Sequence, residues 1–190
     1  MPRKALYPIS NIFINRWSSR AMSDQPVTNE QLMTLFEAAR WAPSGYNEQP
    51  WRFIYTYKNT KLWNELIALM IPFNQSWAKN SAVLVVIISK NFFDRTGKPS
   101  HLHTFDAGAA WMSLALQGSI SGLVIHAIGD FDYDAAKTIL DIPDEFKIEV
   151  MVAIGNKGKK EILAPELQAR EVPNDRKPLS EIVFENKFKE

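Results

Sequence analysis

Residues 42–51 read Ala-Pro-Ser-Gly-Tyr-Asn-Glu-Gln-Pro-Trp, and they separate two segments with different hydrophobic periodicity. Before them, Thr28 and Gln31 form a capping-box signature, and apolar residues then recur at helical spacing as far as Trp41. After them, residues 51–57 are aromatic and β-branched, as is typical of a strand. The prolines, glycine and asparagine in between favour turn geometry. We therefore predict a helix, a loop and a strand in this order.

Helices and strands are interspersed along the rest of the chain. The predicted helices cover residues 62–70, 103–121 and 133–140, and the predicted strands cover residues 82–88, 123–128 and 148–154. The strand at residues 82–88 is continuously apolar, which indicates that it is covered on both faces at the centre of the sheet. The class is therefore mixed α and β, and we expect residues 1–190 to form a single domain.

Residues 156–190 have a different pattern. They contain three prolines, many charges and only scattered apolar residues, over a stretch longer than normal loops. The spaced apolar residues favour an extended C-terminal arm that packs onto a partner subunit. These residues are Leu163, Leu167, Val172, Leu179, Ile182, Val183 and Phe184.

The composition argues against several kinds of function. Lys and Arg number 22 against 21 Asp and Glu, so the net charge of +1 creates no broad field to attract nucleic acid or an anionic membrane. The absence of cysteine excludes disulfides, thiolate nucleophiles and thiolate metal sites. The longest apolar run is far shorter than the roughly 20 residues of a membrane-spanning helix, and the N-terminus lacks the apolar region of a signal peptide. We expect a cytoplasmic protein that binds neither nucleic acid nor membrane.

Several short motifs resemble known sites but lack an essential part. The G-x-G-x-x-G fingerprint is absent, and residues 155–160 lack the spacing and the hydroxyl of a P-loop. Ile120 stands where a hydrolase elbow has its nucleophile. His101 and His103 have no third metal ligand at a recognisable spacing, and the aspartates of residues 130–134 lack the glycine and glutamate of a calcium loop. We assign no catalytic residue and no metal ligand.

Two segments carry side chains suited to a ligand. In residues 16–20, two arginines four positions apart flank two serines, and guanidinium and hydroxyl groups together suit a phosphate monoester. An ordinary solvated surface is the alternative for this segment. In residues 42–51, Ser44, Asn47 and Gln49 can both donate and accept hydrogen bonds, which suits the polar edge of a heteroaromatic ring.

Three parts of the chain occur in an order and spacing that resemble the nitroreductase family of FMN-dependent oxidoreductases. They are Arg16-x-Ser18-x-Arg20, the block at residues 42–51 and Arg176-Lys177-Pro178-Leu179. The resemblance extends over residues 11–184. It implies an α+β fold, an α/β/α sandwich with a central and mostly antiparallel sheet. It also implies an intertwined homodimer with two FMN sites at its interface, in which the C-terminal arm extends across the partner and adds to its sheet.

The resemblance further implies cofactor-binding roles for the matching residues. The residues matching those that hold the FMN phosphate and ribityl chain are Arg16, Trp17, Ser18, Ser19 and Arg20, together with the late pair Arg176 and Lys177. The residues matching the loop that lines the isoalloxazine ring from the opposite subunit are Pro43, Ser44, Gly45 and Asn47. The residues matching those at the pyrimidine edge and at flavin N5 are Asn74, Ile128 and Gly129.

The implied activity is ping-pong hydride transfer from NAD(P)H through flavin N5 to an electron-poor acceptor such as a nitroaromatic or a quinone. FMN carries the reaction, so the protein needs no acid or nucleophile of its own. Two alternatives stay open: the same flavin fold with other chemistry, such as dehalogenation or flavin breakdown, and a flavin-binding protein without turnover.

Overall fold

The computed structural model describes residues 3–188, and its centre is a four-stranded sheet. The strands are β1 (Trp51–Tyr57), β2 (Val83–Lys90), β3 (Leu123–Ile128) and β4 (Phe146–Asn156). Their order is β1-β2-β4-β3, and every neighbouring pair is antiparallel. The sequence prediction for β1 and β3 is confirmed at the same bounds, and the continuously apolar β2 lies at the sheet centre as expected.

Residues 3–188 form seven α-helices, and all of them except the first cover a face of the sheet. They are α1 (Asn11–Asn15), α2 (Asn29–Arg40), α3 (Lys61–Leu69), α4 (Pro72–Ala78), α5 (His103–Ile120), α6 (Tyr133–Ile139) and α7 (Pro165–Gln168). Helices α2 and α5 bury their apolar residues on one face, and α3, α4, α6 and α7 do so on the other. The α/β/α sandwich implied by the resemblance is therefore confirmed.

The alternation of side chains along β2 divides the core between the two faces. Val83, Val85 and Ile87 pack against α2 and α5, whereas Leu84 and Val86 pack on the opposite face. All of these residues are fully buried. One strand therefore supplies apolar surface to both layers, which explains why its sequence is a continuous apolar run instead of an alternating one.

Helix ends follow local signals in the sequence. Thr28 Oγ1 accepts a hydrogen bond from Gln31 N at 3.1 Å, and Gln31 Oε1 accepts one from Thr28 N at 2.9 Å, so the predicted capping box begins α2. Asp132 caps α6 by accepting a hydrogen bond from Ala135 N at 2.9 Å. The sequence prediction missed α4, whose one clear signal is Pro72 at its first position.

The C-terminal arm begins later than expected. Leu163 and Leu167 are buried in the core of their own chain, beside α3 and α4. The expectation that these two residues pack onto a partner is therefore wrong, because the sheet face beneath α7 offers enough apolar surface within the same chain. Residues further along leave large apolar side chains exposed, namely Val172, Leu179, Ile182, Val183 and Phe188. Within residues 3–188, no helix combines the length and apolarity required to cross a membrane.

Helix α5 approaches β3 closely because residue 118 has no side chain. A Cβ atom at Gly118 would lie 2.6 Å from Ile125 Cδ1 and closer still to Ile125 Cγ1, and Ile125 is itself buried. We expect Gly118→Ala to lower the free energy of unfolding by about 1–3 kcal/mol, since the helix or the isoleucine must move. Urea unfolding measures this change.

The same substitution in an Ile125→Ala background provides the control. Because the colliding atoms are then absent, Gly118→Ala should cost much less there than in the wild-type chain. An equal cost in both backgrounds would show that the contact with Ile125 is not the reason for the glycine.

Candidate functional site

An arginine-rich cleft of about 540 Å³ lies where the segment between α1 and α2 meets the C-terminal part of the chain. Its lining residues, which we call the arginine cleft, are Arg3, Arg16, Trp17, Ser18, Arg20, His126, Arg170, Val172, Asn174 and Arg176. The structure thus brings Arg16, Trp17, Ser18 and Arg20 together with the late Arg176, as the family resemblance implied, whereas Ser19 is buried and is not among the lining residues. Arg3, His126 and Arg170 were not predicted.

Two arginines of the cleft each have one buried guanidinium nitrogen that makes no hydrogen bond. Arg16 Nη1 and Arg20 Nε are buried and form no hydrogen bond. Within residues 3–188, none of the five cleft arginines forms a salt bridge. Burial and the nearby charges of Arg176 and Arg3 lower the pKa of Arg16. Because an unpaired buried charge is costly, this arrangement favours a bound anion.

Hydrogen bonds from two directions fix the main chain at the base of the cleft. On one side, His126 Nδ1 lies 3.0 Å from the carbonyl oxygen of Ser19. On the other side, the Glu171 carboxylate accepts hydrogen bonds from Ser19 Oγ, from Arg20 N at 2.9 Å and from Ala21 N at 3.0 Å. Residues 19–21 are therefore held by bonds that do not involve the guanidinium group of Arg20, and this group stays available for a ligand.

His126 is a neutral imidazole in the wall of the cleft. A carbonyl oxygen can only accept, so Nδ1 carries the proton of the bond to Ser19 and the neutral ring keeps Nε2 as an acceptor. The ring packs on Trp77, with centroids 4.4 Å apart. Burial lowers the pKa of His126 from 6.5 to about 4, against the opposing effect of the Ser19 hydrogen bond.

Helix α4 lies next to the arginines of the cleft and contacts the chain that follows β3. The guanidinium carbons of Arg20 and Arg170 lie 5.7 Å and 5.4 Å from the centre of the Phe73 ring. The next residue, Asn74, is buried; its Nδ2 lies 3.5 Å from the carbonyl oxygen of Asp130, and its Oδ1 accepts from Trp77 Nε1. Asn74 therefore lies beside the segment that contains the predicted Ile128 and Gly129.

The predicted loop residues 43–47 lie elsewhere, at the start of α5. Gly45 N donates to the Asp106 carboxylate at 3.1 Å and 3.3 Å, and Ser44 Oγ accepts from Gln49 N at 3.0 Å. Burial raises the pKa of Asp106, and the bond from Gly45 opposes this effect. In the part of the chain that the structure describes, no residue of 43–47 lines the arginine cleft. One chain alone therefore does not bring the two predicted halves of the site together.

Lys177 also lies outside the arginine cleft. Its Nζ is 3.8 Å from Glu181 Oε2 on the exposed surface. Lys177 and Arg176 both line a second groove of about 480 Å³ between the N-terminal segment and the C-terminal arm. Arg176 thus faces both the cleft and the groove, whereas Lys177 faces the groove alone.

A separate polar cluster surrounds Ser89 at the end of β2. Ser89 Oγ donates to Glu149 Oε1 at 2.6 Å and lies 2.7 Å from His103 Nδ1. Since the single hydroxyl hydrogen points to Glu149, His103 Nδ1 must donate to Ser89. The imidazole therefore cannot withdraw a proton from this serine, and the cluster is not arranged as a nucleophile and its base.

The fold and the site together define an α/β/α protein with a cleft lined by five arginines. A model of the nitroreductase family matches residues 14–71, which include Arg16, Arg20 and the loop before β1. A crystal structure described as an oxidoreductase containing FMN is 44% identical, covers 98% of this chain and 96% of its own, and superposes with a TM-score of 0.94.

Two further relatives agree with this match. The structure of a nitroreductase family protein from Clostridium difficile 630 is 22% identical, with a TM-score of 0.73 and coverage of 96% of this chain and 100% of its own. A provisionally named NADH dehydrogenase/NAD(P)H nitroreductase of Archaeoglobus fulgidus is 26% identical over 144 residues, which are 74% of this chain and 80% of that protein. The chain belongs to the nitroreductase family.

The low pKa of His126 predicts a specific pH dependence of stability. The unfolded chain binds a proton at His126 near pH 6.5, whereas the folded chain binds it only near pH 4. Stability contributed by the neutral ring is therefore complete above pH 6.5 and is lost as the pH falls toward 4, by about 3 kcal/mol in all. Urea unfolding as a function of pH measures it.

His126→Phe is the control, because it keeps an aromatic ring against Trp77 and removes the titrating group. The difference between the wild-type and variant curves should shrink between pH 6.5 and 4. A difference that stays constant across this range would mean that His126 titrates normally in the folded chain.

Proposed function

We propose that this protein is an FMN-dependent oxidoreductase that passes hydride from NAD(P)H to an electron-poor acceptor such as a nitroaromatic or a quinone. The observation that carries this proposal is the pair of buried and unpaired nitrogens, Arg16 Nη1 and Arg20 Nε, in a cleft lined by five arginines. Membership of the nitroreductase family and the FMN-containing relative that is 44% identical support it.

The residues of the arginine cleft suit the phosphate of FMN. A phosphate monoester carries close to two negative charges and three acceptor oxygens, which guanidinium groups bind through charge-assisted hydrogen bonds. Arg16, Ser18, Arg20 and Arg176 would hold the phosphate and the ribityl chain, with Trp17 and Ser19 contributing main-chain contacts. The acceptor Nε2 of His126 lies in the same wall and suits a ribityl hydroxyl.

The isoalloxazine ring would extend from the arginines past Phe73 toward Asn74, Ile128 and Gly129. Asn74 holds the carbonyl oxygen of Asp130, and this contact orders the chain directly after Gly129. We place the pyrimidine edge of the ring near Asn74 and its N5 near the backbone of Ile128 and Gly129. Bound FMN would supply the two-electron chemistry, so the protein positions the ring and excludes water.

We further propose that the active unit is a homodimer whose sites each need both chains. The loop at residues 43–47 is exposed at the start of α5 and lies outside the cleft of its own chain. The C-terminal arm and the N-terminal segment both leave large apolar side chains exposed to solvent. These are Leu179, Ile182 and Val183 on the arm, and Leu6, Tyr7, Ile9 and Phe13 on the N-terminal segment. A partner subunit would cover both sets.

The first test is the visible absorption spectrum of the purified protein. A flavin band that bleaches with NADPH or NADH in the absence of oxygen, and returns on addition of a quinone or a nitroaromatic, supports the proposal. A colourless protein that cannot be reconstituted with FMN contradicts it.

The phosphate assignment predicts the effect of removing two arginines. Arg16→Ala combined with Arg20→Ala should raise the Kd for FMN by a factor of at least 100, because each lost charge-assisted bond contributes about 1.5–3 kcal/mol. Quenching of flavin fluorescence during titration of the apoprotein measures the Kd. Arg40→Ala is the control, because Arg40 pairs with Glu37 on the exposed face of α2. An unchanged Kd in the double variant would refute the assignment.

The two-chain site predicts complementation between two defective subunits. Gly45→Asp should displace the loop, because it places a Cβ 2.6 Å from Leu102 Cδ1 and a second carboxylate near Asp106. Homodimers of Gly45→Asp and of the double arginine variant should each lose FMN. A mixed dimer should bind one FMN, since an intact cleft from one chain then meets an intact loop from the other. Normal FMN binding by the Gly45→Asp homodimer would contradict the two-chain site.

A further inference from the structure

Glu171 connects two parts of the arginine cleft that are about 150 residues apart in the chain. It follows α7, whose Leu167 is buried in the core. Its carboxylate accepts from Ser19 Oγ, Arg20 N and Ala21 N, and we call this set of hydrogen bonds the Glu171 clamp. Each donor belongs to the short segment that carries the predicted phosphate-binding residues.

The residues on either side of Glu171 form one wall of the cleft. Arg170 precedes it, and Val172, Asn174 and Arg176 follow it. A second connection supports the same wall, since Arg3 Nε donates to the carbonyl oxygen of Asn174 at 2.8 Å. Leu163 and Leu167 anchor only the chain before Arg170. The position of the wall itself therefore depends on the polar bonds made by Glu171 and Arg3.

The clamp places a carboxylate close to the arginines of the cleft without a hydrogen bond to any guanidinium group, although its charge raises the pKa of Arg20. Glu171 forms its hydrogen bonds with two main-chain N–H groups and one hydroxyl, and none with a guanidinium group. The main-chain donors of Arg20 and Ala21 are thereby satisfied within the protein. A bound phosphate would have to be recognised by arginine side chains, whose buried nitrogens remain unpaired.

We infer that Glu171 is a positioning residue whose clamp couples closure of the C-terminal wall, residues 170–176, to binding of the cofactor phosphate. This inference rests on the proposed function. The phosphate binds the arginines of both walls, so it favours the closed clamp, and the closed clamp in turn raises the affinity for the phosphate. If the clamp is open for part of the time, the apparent Kd rises in proportion.

The test compares Glu171→Gln with Glu166→Gln. Both substitutions remove one negative charge from the same part of the chain, but Glu166 is exposed in the first turn of α7 and makes no clamp bond. Titration of the apoprotein with FMN should give a Kd about tenfold to a hundredfold higher for Glu171→Gln than for wild type, because charge-assisted bonds to the main chain are lost. Glu166→Gln should leave the Kd within twofold.

Limited trypsin digestion gives a second readout that does not depend on activity. Cleavage after Arg170 and after Arg176 reports opening of the wall. FMN should slow this cleavage in wild type and in Glu166→Gln, and it should protect Glu171→Gln much less. If Glu171→Gln does not fold, Ser19→Ala, which removes one clamp donor, should raise the Kd and reduce the protection in the same direction.

The outcomes separate this inference from the proposed function. If wild type does not bind FMN, the proposed function fails, whatever Glu171 does. If wild type binds FMN and Glu171→Gln binds it equally tightly with the same protection from trypsin, the inference is overturned and the function stands. If both glutamate variants weaken binding equally, a general charge effect replaces the clamp, which also overturns the inference.

Discussion

The architecture depends on the pairing of β2 with β4, because β2 and the later part of β4, residues 151–155, are buried on both faces. Their antiparallel register runs from Val83 opposite Ile154 to Lys90 opposite Phe146, with one irregularity at Ile87 and Ile88. Such a pair has no face that tolerates water, so helices must cover both sides. Strand β3 is consequently an edge strand, and the chain that leaves it at Gly129 is free to border a cleft instead of entering the core.

The cleft combines a hydrogen-bonded backbone at residues 19–21 with arginine side chains that form no salt bridge within residues 3–188. Half-buried guanidinium groups repel one another and lose part of their hydration, which is why burial and neighbouring arginines lower the pKa of Arg16. Arg20 is affected in the same way by burial and by Arg170, although Glu171 opposes the effect. A fold retains such an arrangement only if surrounding bonds hold the backbone in place. His126 binds the carbonyl oxygen of Ser19, and Glu171 binds the Ser19 hydroxyl and the next two main-chain N–H groups, so the backbone that carries Arg20 is fixed before any ligand binds.

The sequence revealed the elements whose residues follow a periodic pattern. It missed the features that depend on contacts between residues far apart in the chain. The strands at residues 51–57 and 123–128 were predictable because β-branched runs end at clear turn residues. Helix α4 was missed because it has only two large apolar side chains, Phe73 and Trp77, and its N-cap Ile71 makes no side-chain hydrogen bond, whereas the equally short α6 begins at the capping Asp132. Glu171 was also missed, because two of its three donors are main-chain N–H groups, which leave no trace in the residue types, and the third, Ser19, lies about 150 residues away in the chain. His126 could be recognised only as a strand residue, since its neutrality depends on Trp77 and Ser19 far away in the chain.

The same distinction explains why the loop of residues 43–47 could be found from sequence while its local geometry could not. Tyr46, Asn47 and Gln49 all have positive φ angles, between 50° and 59°, although none of them is glycine. Backbone in this region is strained for such residues and persists only where neighbouring contacts hold it. Here the contacts are the Asp106 carboxylate on Gly45 and the Ser44 hydroxyl on Gln49, both within the same chain. The loop is therefore ordered before it meets any partner or cofactor, while Tyr46 remains 75% exposed.

A loop that is already ordered loses little conformational entropy on contact with a second surface. An exposed and preorganised loop of this kind is consistent with a role in completing the site of another subunit.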